Sequence, residues 1–112
     1  MRPTVWTWNM PEEWMGRLRW ECMRHRLQLR RVGAAECGVP LGKLRGVAAD
    51  AAPLPFDEPM LLAAGLTGAQ LEDVLRAAPV KLRAVLTPAN ARWDSGRLRE
   101  ELAAEAAALG NR

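Results

Sequence analysis

MRPTVWTWNM, residues 1–10, opens the chain, and PEEWMGRLRWECMRHRLQLRRV follows at 11–32. How these two stretches are read decides the fold. The first does not look helical: Val5, Trp6, Thr7 and Trp8 have strand character, and Pro3 and Pro11 bound them closely. One short strand cannot stand alone. The expectation is therefore an extended arm that packs its tryptophans onto helices or adds to the sheet edge of another chain. The second stretch reads as an amphipathic helix. Pro11 suits a first turn, Glu12 and Glu13 complement the helix dipole, and Trp14, Leu18, Cys22, Leu29 and Val32 keep roughly to one face. Arg17, Arg24, Arg30 and Arg31 fall largely outside that stripe.

Composition points the same way. Of 112 residues, 19 are Ala and 16 Leu, with no Ile, no Tyr and a single Phe. The strongest helix formers dominate while strand formers are scarce. The spacing predicts short helices over Gly33–Cys37, Pro40–Ala49 and Pro59–Ala64, and a further one over Val80–Leu86. Thr67 and Gln70 form a capping box for a helix over Gly68–Ala77. Thr87 caps a helix that begins at Pro88, and a last helix runs from Ser95 to Leu109, with 105–112 as a frayed tail. Pro53, Pro55 and Pro59 keep 50–59 a loop. The fold expected is all-α: one domain over 1–112, a small orthogonal bundle of five or six short helices with a non-helical N-terminal segment.

Charge is uneven. The net is +3, yet residues 1–45 carry nine Lys/Arg against four Asp/Glu, and 46–112 carry seven against nine. Arg17–Arg31 alone holds six Arg and one Glu. Such a run suits phosphates, an acidic protein surface or plain solvent. Arg outnumbers Lys 14 to 2, a sign of a GC-rich genome. No apolar stretch reaches the roughly 20 residues that span a bilayer, and no secretory signal leads the chain. The expectation is a cytoplasmic protein with reduced thiols at Cys22 and Cys37.

Catalytic equipment is sparse. His25 is the sole histidine and Ser95 the sole serine. Cys22 and His25 stand three apart on one predicted helix, and Cys37 could add a third ligand, but a structural zinc wants four. No metal, cofactor or catalytic residue is expected. Ser95 reads as a turn or cap residue beside Asp94. Trp6, Trp8, Trp14 and Trp20 crowd the first 20 residues among arginines, a mixture found at interface hot spots and on surfaces that stack single-stranded bases. The alternative is that the indoles fill a core with one Phe and no Ile, the expectation for Trp14 and Trp93 and an equal one for Trp6 and Trp8.

AAECGVPLGKLRGV at 34–47 resembles the helix-turn-helix of phage-repressor-like (Xre-type) regulators. Ala34 matches the small residue where the two helices cross, Gly38 the left-handed turn, and Val39, Leu44 and Val47 the apolar anchors of the second helix. The resemblance implies a bacterial or phage transcription regulator that sets Pro40, Lys43 and Arg45 at DNA, with Arg24, Arg30 and Arg31 on phosphates. The alternative is a helical adaptor, inhibitor or assembly factor. It would dock through Trp6, Trp8, Arg17 and Trp20 on an acidic protein surface or a second copy of the chain, as a homodimer. Both readings require that the leading third displays its arginines and indoles on one docking surface.

Overall fold

The computed structural model describes residues 2–46 and 52–110, and it is α/β, not all-α. Four strands, β1 (Thr4–Trp8), β2 (Gln28–Arg31), β3 (Met60–Ala64) and β4 (Leu82–Val85), form one sheet in the order β2-β1-β3-β4. Among the described residues three α-helices accompany it: α1 (Glu12–His25), α2 (Gly68–Ala77) and α3 (Ser95–Gly110). The β1-α1-β2 and β3-α2-β4 units are both parallel crossovers, joined back to back where β1 and β3 run antiparallel. No sequence period announces this doubling.

The extended arm is therefore an inner strand. Its backbone pairs with β2 on one side and β3 on the other, so it has no edge to lend to another chain. Period-two alternation sends Val5 toward α1 and α2 and sends Trp8 to the opposite face. The MLLAA of β3 is buried at every position. A strand covered on both faces reads as an unbroken apolar run without alternation, which is why it passes for a short helix. Val80–Leu86 is likewise not helical but contains the edge strand β4.

Two cores result. Met15, Leu18 and Cys22 of α1 and Val74 and Ala77 of α2 close over Val5, Leu61 and Ala63. On the other face Leu98 and Leu102 of α3, with Leu41 and Leu44, close over Trp8, Met60, Leu62 and Leu82. The buried Trp8 indole Nε1 donates to Ser95 Oγ at 2.9 Å, tying the sheet to the first turn of α3. Helix boundaries follow local chemistry. α1 stops short of Leu29 because Arg26 adopts the left-handed conformation (φ 59), turning the chain into β2 within two residues. α2 carries the complete capping box, Gln70 N–H to Thr67 Oγ1 and Thr67 N–H to Gln70 Oε1. α3 continues helical through 105–110.

Ala34–Glu36 and Leu41–Lys43 are single 3-10 turns, as is Asn90–Arg92 beyond Thr87 and Pro88. Neither of the first two is an α-helix, and Gly38 is not among the residues with positive φ. The helix that would enter a major groove is absent from 34–46, and Val47, like the end of the helix expected over Pro40–Ala49, lies outside the described residues. No helix among the described residues is long and apolar enough to cross a membrane.

Candidate anion-binding cleft

The arginines of the leading third do not share one surface. Those of α1 and Arg31 are mostly tied to carboxylates of this chain. Arg17 meets Glu13 at 3.0 Å, Arg19 meets Glu12 at 3.8 Å, and Arg31 reaches Glu12 at 3.0 Å. Arg24 donates to Glu21 (2.7 Å) and Asp73 (2.9 Å). Exposed pairs of this kind add little stability, but they cancel the field that a polyanion would feel.

Two arginines on the other face of the sheet differ. β2 is an edge strand, and alternation turns Arg30 away from Arg31, onto the face opposite α1. There Trp6 is its cross-strand neighbour and Thr4 is the neighbour of Gln28. These four side chains floor a cleft of about 330 Å3, walled by Leu41, Gly42, Leu44, Arg45 and Leu86. No carboxylate among the described residues lines it. Among the described residues neither Arg30 nor Arg45 has an ion-pair partner.

The wall is built by a buried acid. Glu36 is 5% exposed, and its carboxylate accepts the N–H of Arg45 (Oε2, 2.8 Å) and of Gly46 (Oε1, 3.1 Å). Buried polar groups must be satisfied in this way. The two amides fix the 45–46 backbone and so the root of Arg45. Gly46 has φ +69, and a Cβ there would fall 2.7 Å from Arg30 Cδ. Only glycine lets the turn lie against the Arg30 stem. Thus one acid and one glycine bring two guanidinium groups, 15 residues apart in sequence, to one cleft.

Thr4 Oγ1 lies 2.9 Å from the Arg2 carbonyl, to which it donates, and 3.2 Å from the Gln28 side-chain amide. Trp6 is half-buried, and the one guanidinium stacked on an indole among the described residues is Arg97 over Trp93, 4.9 Å from its centroid. Trp6 packs partly against the core of this face and lines the cleft with its remaining surface. No protein-family model matches this chain, and no curated protein or solved structure proves similar to it. The cleft's chemistry must stand on its own residues.

The remaining candidates scatter. Trp8 is fully buried and is no contact residue. Pro40 is half-buried and accepts the Lys43 N–H through its carbonyl (2.8 Å), while Lys43 is exposed. Trp20 is 62% exposed and Met23 67%, and Trp20 lies with Arg17 and Arg24 in a groove between α1 and α2.

Sequence reasoning missed Glu36, Gly46, Gln28 and Asp73. Asp73 is 48 residues from His25 yet accepts from its Nε2 at 2.9 Å. The His25 bond, then that of Arg24, holds the Asp73 carboxyl below the usual carboxylate range. Cys22 does not join this group: it faces the core, where burial and then the nearby Glu21 charge push its thiol up to about 11. Glu21, His25 and Asp73 set three ligand atoms within 4.8 Å of one another. Arg24 already spans both carboxylates there, supplying the positive charge a metal would bring.

Proposed function

We propose that this chain is a non-enzymatic binding protein that takes an anionic partner in the Trp6–Arg30–Arg45 cleft. One observation carries the reading: Arg30 and Arg45, without an ion-pair partner among the described residues, line one cleft where no described carboxylate lies, while the arginines of α1 are mostly neutralised internally. Arginine presents a planar fork of donors suited to phosphate or carboxylate oxygens. The residues that could do acid–base work are spent elsewhere. Ser95 is sealed against Trp8, and His25 is bonded to Asp73 on the opposite side of the sheet. A cytoplasmic location, with reduced thiols, belongs to the same reading.

Salt elution from heparin, used as a generic polyanion, tests it. Arg30→Gln/Arg45→Gln is expected to elute at clearly lower salt than the wild type. Arg17→Gln/Arg19→Gln removes the same formal charge from paired sites and is expected to shift elution far less. Equal shifts from both pairs would mean that only overall charge matters, and the cleft would lose its role.

The exposed Trp20 and Met23 favour a second reading, a protein partner docked on α1. Trp20→Gln would then abolish that partner's binding with heparin elution unchanged. Retained binding removes this reading.

A further inference from the structure

We infer that the partner is a single-stranded nucleic acid, one base lying on the Trp6 indole and adjoining phosphates on Arg30 and Arg45. The inference rests on the cleft reading above and assigns its ligand.

Three features select this class. Trp6 and Arg30 are register partners on neighbouring strands, and such strands lie about 4.8 Å apart. The aromatic residue and the cation therefore root side by side on one face of the sheet, as neighbours in one cleft. Arg30 does not stack on Trp6, since its stem is held along Gly46. The part of Trp6 that lines the cleft, and the Arg30 guanidinium, which has no ion-pair partner among the described residues, both face the ligand site. Gln28 lines the same floor, and its side-chain amide is of the kind that pairs with the edge of an unpaired base. An acidic peptide would use the arginines but has nothing planar for Trp6. A duplex keeps its bases stacked inside, and the roughly 330 Å3 cleft, at the small end of ligand sites, admits one nucleotide and not a double helix. Stacking on an aromatic ring beside a basic track is how single strands are bound without sequence preference.

Fluorescence anisotropy of a labelled mixed-sequence 10-mer, as RNA and as DNA, tests the assignment. The same sequence as duplex and a polyglutamate of equal charge serve as competitors. Either single strand is expected to bind at least tenfold more tightly than both competitors. Two phosphate contacts give a salt slope near −1.4, from about −0.7 per phosphate, and Arg30→Gln/Arg45→Gln flattens it. Trp6→Ala is expected to weaken binding by about 5- to 150-fold, the range of one lost base stack, and Trp6→Phe restores most of it. Should Trp6→Ala fail to fold, as circular dichroism would show, the comparison of Trp6→Phe with Trp6→Leu replaces it, with only the aromatic residue binding.

Duplex or polyglutamate binding as well as the single strand overturns the assignment. If Arg30→Gln/Arg45→Gln still lowers heparin elution, the cleft reading survives that failure. If heparin elution is unmoved as well, both fall.

Discussion

Replacing Glu36 by Gln tests how the cleft is built. The carboxylate accepts two backbone N–H groups, from Arg45 and Gly46, in a site that is 5% exposed. Hydrogen bonds to a charged group contribute roughly 1.5–3 kcal/mol each. Glutamine keeps one acceptor oxygen but sets its amide N–H groups against the second backbone donor. One charge-assisted bond is lost and the other becomes neutral. The expected loss of stability is about 2–3 kcal/mol, near the upper range for single substitutions. In a domain of this size that lowers Tm by on the order of 10 °C, at roughly 4 °C per kcal/mol. Urea denaturation followed by far-UV circular dichroism measures it, with heparin elution run on the same protein. Part of the strain can escape if the 44–46 turn opens to water. Elution then moves to lower salt, because Arg45 is no longer held, while the global midpoint moves less. A Glu36→Gln protein with both stability and elution unchanged would refute the idea that this buried acid positions the arginine.

Two further perturbations address the frame. Ser95→Ala leaves the buried Trp8 indole N–H without its acceptor, at a cost of about 1–3 kcal/mol; an unchanged urea midpoint would contradict that bond. Asp73, held below the usual carboxylate range by His25 and Arg24, contributes stability that is present above its unfolded value near 4 and is lost as pH falls through the lower folded value. Denaturation midpoints between about pH 5 and pH 2 should therefore fall less steeply for Asp73→Asn than for wild type, and parallel curves would count against the linkage.

Local signals in the sequence carried the helices. The Pro11 start with its two glutamates, the Thr67–Gln70 capping box and the Ser95 opening of α3 are contacts within one turn of chain, so neighbouring residues suffice to specify them. The extended character of Val5–Trp8 was legible for the same reason. The sheet was not. Met60–Ala64 consists of residues that favour helices when alone, and only burial between two layers holds it as a strand. Leu82–Val85 and Gln28–Arg31 are strands because β3 and β1 lie beside them, a condition that no local window contains. The basic, Trp-rich leading third pointed to Trp6 and Arg30 individually, and Arg45 came only through a helix-turn-helix resemblance whose helices do not form among the described residues. Which arginines remain without a carboxylate among the described residues was decided by Glu12, Glu13, Glu21 and Asp73, and the cleft itself by Glu36 and Gly46. Sequence alone set helix propensity, capping and total charge, since these depend on near neighbours and composition. Strand pairing and the placing of cations were left to tertiary structure, because both are settled by residues distant in the chain.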